Sequence, residues 1–600
     1  MYFSTIFCCI LVTAIEEVLM IITSELFTIR TEGCTIPGFS KVTDSIKMIV
    51  AAPPLTRNCS TPEKLVRANI SHIWVAHEVI YSYNVFREDT FYCCYKNFSS
   101  STNIENIMYS ECKEFLNVIK AEHEFVQIEC YHLDEVIYTD FFLFDFHEEI
   151  NTSQTDSSLD NNSHSQEPFN VLILGIESMS RLNFHRTMPK TTRFLKERGA
   201  VELHGYNKLG DNSLPNLFPL LSGFSYKYVK QTCIQNNIFN VDKCALIWDS
   251  FKEKGFHTAL GSDSIAGLLG NYEYTLPRIP TDSYLQPFIF ETRKLFKNQQ
   301  YNFHPCMGSK YFYRILLDYI YELAQHLILH KFFGIFWEES ISHEDLNSPH
   351  IMDDSYVNFL SKLHKNDYLN RTVLIILSDH GMRWGKIVET EQGRLEERLP
   401  LLNVLFPEQF KQRYKLAFRN IQHNVHRLTT PYDIHETLLD LINLNSLDDS
   451  KIKQRSSAPS SNKSSLFVPI SAIRSCSSIG IEEHWCACRR GEKIKVGNNI
   501  KTMAATNLVV QINKLLKKYP QCHKLTLSYI YDVYLVENNG NWRIYTVMVK
   551  TEPGGGILDG TLTQDKSRWL ISGTVSRLNL YRNQSDCVEN EDIKLYCYCG

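Results

Sequence analysis

Residues 171–178 read VLILGIES, and this stretch decides the class of fold. Its first six residues are all apolar or glycine, so no polar side chain marks an exposed face. A short continuous apolar run with β-branched residues is typical of a strand that is covered on both faces. Residues 332–336 (FFGIF) and 372–377 (TVLIIL) are runs of the same kind. We therefore predict that all three runs are buried strands of one sheet.

Helical patterns separate these three runs along the chain, at residues 190–198, 245–254 and 311–330. Strands that alternate with helices predict an α/β fold, in which a mostly parallel sheet has helices on both faces. Ligands of such open sheets bind beyond the carboxyl ends of the strands. The residues that directly follow the three apolar runs are therefore the first place to look for chemistry.

Two polar stretches divide the chain. Residues 151–167 and 448–465 are rich in Ser, Asn and Asp and have little to bury, which predicts linkers. Three parts remain. We predict a cysteine-containing β-rich domain at 34–150, an α/β catalytic domain at 168–447 and a cysteine-rich α+β domain at 466–600.

The N-terminus and the cysteines indicate export. Residues 1–22 are predicted to be a signal peptide, because the apolar run at 3–14 has the length of its hydrophobic region. Glu16 and Glu17 make a membrane-spanning helix costly, and an uncleaved signal anchor is the alternative. Of 18 cysteines, all but two lie beyond this segment. Because disulfides persist in oxidising compartments, we expect a secreted protein with disulfides whose pairing the sequence does not determine.

Two further properties bear on partners. Eight N-x-S/T triplets suit a secreted glycoprotein. The formal net charge of −5 provides no field that would recruit nucleic acid. We therefore expect no nucleic-acid partner, and a membrane partner only if the N-terminal segment stays as an anchor.

Carboxylates and histidines follow all three apolar runs. Glu177 follows the first, Glu339 and His343 follow the second, and Asp379 and His380 follow the third. Any one of them also fits a turn or a helix cap. Together, oxygen and imidazole ligands suit Zn²⁺ or Mn²⁺. The pattern predicts a centre that holds one or two divalent metal ions.

Ser213 is the candidate nucleophile. It lies in a polar turn directly before the apolar residues 214–221, where Pro215 suits the first turn of a helix. Free backbone N–H groups at a helix N-terminus favour an anion such as phosphate. The alternative is that Ser213 only caps the helix. Candidates for binding the substrate anion are Asn212, Arg181 and Arg383, and surface ion pairs are the alternative for the two arginines.

Several ordered motifs resemble one family. They are GIESMSRLNF at 175–184, GYNKLGDNSLPN at 205–216, SDHGMRWG at 378–385, GRLEERLP at 393–400 and LTTPYDIHETL at 428–438. The chain resembles secreted animal proteins known as domain-of-unknown-function family 229, within the alkaline phosphatase and sulfatase superfamily. The resemblance covers most of the chain and implies an alkaline-phosphatase-like fold.

The resemblance also implies roles for the candidate residues. Glu177, Ser213, Asp379 and His380 would surround one metal ion. A second ion would use Glu339, His343 and a downstream histidine, for which His435 is the candidate. Two alternatives stay open: His343 binds a substrate phosphate in a one-metal enzyme, and His435 is an ordinary helix residue.

The implied function is a metal-dependent phosphoric-ester hydrolase or phosphotransferase with a serine nucleophile. Its substrate would be a phosphate or sulfate ester, with a glycan or a lipid head group as candidates. A sulfatase is a weaker alternative, because Leu217 stands where the C/S-x-P-x-R motif has Arg. A catalytically inactive binding protein is the third possibility, since Glu177 and Ser213 depart from the residues that the resemblance leads one to expect.

Overall fold

The computed structural model describes residues 27–54, 59, 63–85, 90–100, 106–144, 168–265, 267–269, 276–296, 305–457, 462–488, 491–495, 497–538, 540 and 542–600. The predicted signal peptide at 1–22 and the predicted linker at 151–167 lie outside these residues. Among the helices of the described part, none is long and apolar enough to cross a membrane.

The N-terminal part consists mainly of short antiparallel strands. They form a two-stranded ribbon at 27–37, a three-stranded sheet of residues 66–68, 72–75 and 118–120, and a five-stranded sheet of the remaining strands. The elements are β1 (Phe27–Arg30), β2 (Thr35–Pro37), α1 (Lys47–Val50), β3 (Val66–Ala68), β4 (His72–Val75), β5 (Phe91–Ser100), β6 (Ile107–Tyr109), β7 (Lys113–Phe115), β8 (Val118–Lys120), β9 (Phe125–His132) and β10 (Glu135–Leu143).

The central part contains the large sheet. Its strands are β11 (Asn170–Ile176), β12 (Val201–Glu202), β16 (His257–Ser262), β17 (Ser283–Tyr284), β20 (Phe332–Glu338), β21 (Thr372–Leu377) and β22 (Leu402–Leu405), and their order in space is β12-β22-β21-β11-β20-β16-β17. The five strands from β21 to β17 are parallel, and β22 and β12 add an antiparallel edge. The three apolar runs are the adjacent strands β21, β11 and β20, which confirms the mostly parallel sheet.

Three short pairs complete the strands of this part. They are β13 (Gly205–Tyr206) with β23 (Leu428–Thr429), β14 (Ile234–Gln235) with β15 (Ile238–Phe239), and β18 (Cys306–Met307) with β19 (Lys310–Tyr311). The helices are α2 (Arg181–Thr187), α3 (Pro189–Glu197), α4 (Leu214–Ser222), α5 (Tyr226–Thr232), α6 (Ile247–Glu253), α7 (Gln286–Thr292), α8 (Phe312–His326), α9 (Asp353–Lys365), α10 (Glu391–Arg398), α11 (Glu408–Arg413), α12 (Lys415–His423), α13 (Pro431–Ile442) and α14 (Asp449–Ser456).

Helices cover both faces of the sheet, as predicted. Val171 and Ile173 of β11 belong to a core with α4, α6, α12 and α13. Leu172 and Leu174 point the other way, into a core with α2, α3, α7, α8 and α9. Successive side chains of a strand point to opposite faces, so a run without polar residues buries both. This is why the uninterrupted apolar pattern predicted the fold class.

The C-terminal part packs one long helix on an antiparallel sheet. The elements are β24 (Glu492–Lys493), α15 (Asn499–Leu516), β25 (Thr526–Asn538), β26 (Trp542–Glu552), β27 (Gly556–Asp565), β28 (Arg568–Arg577) and α16 (Glu591–Lys594). Leu508 and Ile512 of α15 pack on Val533 and Val547 of the sheet. This core is separate from the two cores of the central part.

The stretch predicted as a linker, 448–465, contains a helix within its described residues. Residues 449–456 form α14, whose Ile452 is buried in the central core. Arg455 pairs with Asp440 at 3.0 Å, and the backbone N–H of Ser464 donates to Asp433 at 2.8 Å. One apolar anchor and two polar contacts thus hold described residues of this stretch in place although its composition is polar. Composition does not register such contacts, because the partners lie in other segments.

Eight disulfides connect cysteines within the described residues. They are Cys34–Cys488, Cys59–Cys306, Cys93–Cys130, Cys94–Cys112, Cys233–Cys244, Cys476–Cys486, Cys522–Cys597 and Cys587–Cys599. The first one links positions that are 454 residues apart and ties the N-terminal ribbon to the C-terminal part. The second one ties the N-terminal part to the central part.

Candidate metal centre and nucleophile

Three of the predicted ligands meet at the carboxyl edge of the central sheet. Glu177 directly follows β11, and Asp379 and His380 come shortly after the end of β21. One ligand atom of each residue lies within 4.8 Å of the ligand atoms of the other two. All three side chains are buried, with 3% of Glu177 exposed and 2% each of Asp379 and His380. Parallel pairing of β11 with β21 brings the two strand ends to one place.

The hydrogen bonds of His380 show which ring nitrogen faces the carboxylates. Nδ1 lies 2.9 Å from the carbonyl oxygen of Gly381, and because a carbonyl only accepts, Nδ1 carries the hydrogen. The lone pair on Nε2 therefore points toward Oδ2 of Asp379 at 3.1 Å and Oε1 of Glu177 at 3.7 Å. A ligating histidine is usually oriented in this way by a backbone carbonyl.

These three acceptor atoms need a positive charge among them. Oδ2 of Asp379 is buried and has no hydrogen-bond donor in the described part of the chain. Burial lowers the pKa of His380, which favours the neutral imidazole that a metal ion requires. Two carboxylate oxygens and one imidazole nitrogen are typical ligands of Zn²⁺. The donor set therefore fits a divalent metal ion.

Like charges crowd the carboxylates of this centre. Burial raises the pKa of Glu177 well above its usual value, and the charges of Asp379 and Glu339 act in the same direction. Burial also raises the pKa of Glu339 to about 7, while His343 acts to lower it. Carboxylates with raised pKa values cluster at functional sites, where a bound cation would compensate the crowding.

Ser213 contacts this centre through its side chain. It immediately precedes α4, yet its hydroxyl accepts no hydrogen bond from the helix backbone. Instead, the hydroxyl donates to Oε1 of Glu177 at 2.6 Å. The alternative interpretation of Ser213 as a plain helix cap is therefore not what the structure shows. Ser213 is half-buried, so its hydroxyl lies between the buried carboxylates and the surface.

Trp337 holds the other oxygen of Glu177, and sequence reasoning missed it. The indole Nε1 donates to Oε2 of Glu177 at 2.7 Å. Its ring lies directly against Gly175, where a methyl group in place of the glycine hydrogen would overlap Cε3 of the indole. Gly175 and Trp337 are register partners on β11 and β20. A glycine inside an apolar strand is a signal of such close approach, and it was available in the sequence.

Asn216 is a second residue that sequence reasoning missed. Its side-chain Oδ1 accepts from the N–H groups of Leu209 and Gly210, at 2.6 and 3.3 Å. Its Nδ2 donates to the carbonyl oxygens of Gly210 and Asn212, at 3.0 and 2.9 Å. Four hydrogen bonds from one buried amide therefore fix the loop that presents the Ser213 hydroxyl.

Two of the three predicted anion-binding residues lie beside Ser213. Asn212 precedes it and has a left-handed backbone with φ of 64°. Arg383 donates from Nη1 to Oδ1 of Asn212. The charge of Arg383 also helps to lower the pKa of His380, after burial, so the guanidinium lies close to the centre.

Glu339 and His343 lie near the centre but outside the group of three ligands. The charge of Glu339 contributes to the raised pKa of Glu177. The ring of His343 packs edge-on against Trp384, with centroids 4.7 Å apart, and its Nδ1 lies 3.5 Å from Glu344. The structure thus places Glu339 among the crowded carboxylates and His343 on an aromatic neighbour.

The two remaining candidates, His435 and Arg181, have other partners in the described residues. Nδ1 of His435 bonds to the carbonyl oxygen of Leu220 at 2.9 Å, near the end of α4 opposite to Ser213. That helix has nine residues and is about 13 Å long. Arg181 pairs with Glu202 at 3.7 Å, in a cluster that includes His185. These contacts fit the two alternatives that the sequence left open, an ordinary helix residue for His435 and an ion pair for Arg181.

Comparisons with solved structures give several weak matches. The lipoteichoic acid synthase LtaP from Listeria monocytogenes matches with 11% identity and a TM-score of 0.32, over 46% of this chain and 72% of its own. A protein in the alkaline phosphatase superfamily from Vibrio parahaemolyticus matches with 15% identity and a TM-score of 0.30, over 72% and 85%. The murine ectonucleotide pyrophosphatase/phosphodiesterase 5 matches with 12% identity and a TM-score of 0.25, over 36% and 58%.

Sequence comparison identifies the family. No protein with curated functional information matches the chain. A family model described as "Protein of unknown function (DUF229)" matches residues 53–531. Because this match spans most of the chain, the protein belongs to the DUF229 family.

Proposed function

We propose that this protein is a metal-dependent hydrolase or transferase of phosphoric esters, with Ser213 as its nucleophile. The observation that carries the proposal is the 2.6 Å hydrogen bond from the Ser213 hydroxyl to Glu177, a member of the buried ligand group. A serine that only caps a helix would accept a hydrogen bond from that helix. A hydroxyl held against a metal ligand is instead placed for activation as a nucleophile.

Glu177, Asp379 and His380 would hold the metal ion, for which Zn²⁺ and Mn²⁺ are the candidates. When bound there, such an ion supplies Lewis-acid chemistry: it lowers the pKa of a nearby hydroxyl and polarises an ester oxygen. We propose no role for His435 or Arg181 in the centre. Glu339 stays a candidate ligand for a second ion.

The residues of the chain then have separate tasks. Ser213 Oγ attacks phosphorus, so that an Oγ–P bond forms while the bond from phosphorus to the leaving alcohol oxygen breaks. The hydroxyl proton is directed toward Glu177, and the leaving oxygen takes a proton from water. Water or an acceptor alcohol then attacks phosphorus, so that a new O–P bond forms while the Oγ–P bond breaks. Ser213 Oγ recovers its proton from Glu177, and the attacking group gives its proton to the hydroxide that the first step left. Arg383 and Asn212 carry N–H donors beside Ser213 for the ester oxygens.

Phosphate is a better candidate than sulfate. Leu217, at the position where a sulfatase motif has Arg, is 2% exposed and packs in the core. That position therefore offers no cation to the centre.

The disulfides support our further proposal that the protein is secreted, because they persist in oxidising compartments. A phosphorylated glycan or lipid head group is the corresponding substrate class.

The test uses the purified full chain, with its metal content measured. We expect turnover of 4-nitrophenyl phosphate or bis(4-nitrophenyl) phosphate in the presence of Zn²⁺ or Mn²⁺, and its loss in Ser213→Ala. The matched control is Ser225→Ala, because Ser225 is a true helix cap whose hydroxyl accepts from the N–H of Tyr228 at 3.2 Å. That variant should retain turnover.

Other results would favour the alternatives. Turnover of 4-nitrophenyl sulfate, together with an altered mass of the Ser213 peptide, would indicate a sulfatase. Bound metal without turnover of any ester would indicate a binding protein. Turnover that survives Ser213→Ala would remove Ser213 as the nucleophile.

A further inference from the structure

The C-terminal domain reaches the loop that carries Ser213. Asp211 lies two residues before Ser213, and three donors converge on its carboxylate. Lys208 Nζ and Trp485 Nε1 donate to Oδ1, at 2.8 and 3.1 Å. The hydroxyl of Ser576 donates to Oδ2. Ser576 lies on β28, whose sheet has a core separate from those of the central sheet, whereas Trp485 packs in a small core with Leu399 and Leu428 of the central part.

A chain of hydrogen bonds orients Ser576. Because its hydroxyl donates to Asp211, its oxygen accepts from Nε2 of His484 at 2.8 Å. Nδ1 of His484 then accepts from the hydroxyl of Thr561 at 3.1 Å. The His484 ring is 1% exposed, and burial lowers its pKa, which keeps the ring neutral as this pattern requires. These hydrogen bonds link Thr561 on β27 through His484 to Ser576 on β28, and Ser576 in turn to Asp211 in the loop before α4.

The loop transmits the position of Asp211 to Ser213. Only Asn212 stands between them, and its left-handed backbone, with φ of 64°, makes the turn tight. Asn216 clamps the same turn from the helix side. A shift of Asp211 would therefore move the Ser213 hydroxyl relative to Glu177. Misplacement by about 1 Å is enough to slow a reaction by roughly 100-fold.

A largely buried carboxylate such as that of Asp211 is not expected at an interface that only stabilises the fold. Its side chain is 12% exposed, and Lys208, its cationic partner, also pairs with Glu397. A buried charge costs free energy unless hydrogen bonds satisfy it, and apolar residues often pack as well or better. What the three donors add is a defined orientation. Such an orientation would fix the position of the loop that carries Ser213.

We propose that Ser576 and Trp485 of the C-terminal domain are positioning residues for Ser213, and that they act through Asp211. The active centre is then shared between two parts of the chain, with the chemistry on the central sheet and the alignment of the nucleophile provided by Ser576 and Trp485 from the C-terminal part. This inference rests on the proposed function, since the alignment of the hydroxyl serves catalysis only if Ser213 attacks an ester.

The experiment compares kcat, KM and amide hydrogen exchange of the full chain and four variants. Ser576→Ala and Trp485→Phe each remove one donor to Asp211, and Ser576→Thr keeps the hydroxyl. The matched control is Tyr534→Phe, which removes a different hydroxyl of the same domain interface, one that accepts from Arg394 at 3.2 Å. The probes are 4-nitrophenyl phosphate and bis(4-nitrophenyl) phosphate.

We expect kcat to fall by about 10- to 100-fold in Ser576→Ala and Trp485→Phe, while KM changes less than about twofold. Peptides that cover residues 207–213 should exchange faster in both variants. Ser576→Thr should restore most of kcat, and Tyr534→Phe should match the wild type. If one of the two variants does not fold, the other one carries the measurement.

Wild-type kcat and wild-type exchange at 207–213 in both variants would overturn the inference. So would an equal loss of kcat in Tyr534→Phe, because the effect would then belong to the interface as a whole. If the wild type turns over no ester, the proposed function fails. Amide exchange at 207–213 is then the only test of the positioning contact. Faster exchange would still support the positioning contact, and unchanged exchange would reject it.

Discussion

The hydroxyl of Ser213 donates a hydrogen bond of 2.6 Å to Glu177, a residue that lies 36 positions earlier in the chain. Glu177 lies at the sheet edge, whereas Ser213 arrives on a separate loop before α4. The contact therefore exists only because the loop is held against the sheet. It joins a candidate nucleophile to a candidate metal ligand, so substitutions on either side of it should have measurable consequences.

Metal binding should stabilise the fold through Glu177 and Asp379. With Zn²⁺ or Mn²⁺ at 100 times its dissociation constant, we expect about 2.7 kcal/mol of added stability, which a chelator removes. Glu177→Gln and Asp379→Asn should lose this gain, because each removes an anionic ligand. Thermal unfolding with and without EDTA measures it. Glu202→Gln is the control, since Glu202 pairs with His185 in a different cluster; equal metal stabilisation in all three variants would disprove the centre.

Trp337→Phe should weaken metal binding without removing it. The substitution keeps an aromatic ring against Gly175 but deletes the N–H that donates to Glu177 at 2.7 Å. Loss of a partner that orients a ligand typically costs 10- to 100-fold in metal affinity, and we expect about that change. Calorimetric titration with Mn²⁺ measures it. Trp248→Phe, a similar truncation in the same core, should leave the affinity unchanged; unchanged affinity in Trp337→Phe would show that the indole N–H has no such role.

Gly175→Ala should destabilise the central domain. The added methyl group would overlap Cε3 of Trp337, so the indole or the strand must move. We expect a loss of about 1–3 kcal/mol in unfolding free energy, together with weaker metal binding because the Trp337 contact to Glu177 is displaced. Denaturant unfolding provides the measurement. Gly261→Ala on β16, two strands away from β11, meets its first heavy atoms at 3.1 Å and should cost less; the reverse order would contradict the packing argument.

The free energy of unfolding should decrease as the pH is lowered, because the buried ring of His484 resists protonation. Burial lowers the pKa of this ring below its usual value, and the charges of Arg398 and Lys208 act in the same direction, against those of Asp559 and Asp211. Below about pH 6.5, His484 binds a proton in the unfolded chain but stays neutral in the folded protein. The unfolded state then binds more protons, so stability decreases as pH falls, by up to about 1.4 kcal/mol per pH unit.

The comparison that isolates this effect is His484→Gln. Thermal unfolding of the wild type and the variant is measured between pH 7.5 and 5.5. The variant should lose less stability than the wild type over that interval, because glutamine does not titrate there. A parallel decline in the two proteins would assign the pH dependence to other groups.

The fold class and the three buried candidate ligands could be predicted from the sequence because both are local properties of strands. An apolar run without polar interruption must be covered on two faces, as 171–176 and 372–377 are. Parallel strands end at one edge, so the residues that follow them meet without any knowledge of the loops. Glu177, Asp379 and His380 converge for that reason.

The partners of those residues depended on tertiary structure. That Trp337 bonds to Glu177 follows from strand register, and that Asp211 meets Ser576 follows from how the central and C-terminal parts of the chain pack. For His435 and Arg181 the sequence left two alternatives each, and their partners in space, Leu220 and Glu202, could not be read from the motifs. Sequence patterns determine which face or end of an element a side chain occupies. Which group it meets is decided by contacts between segments that are distant along the chain.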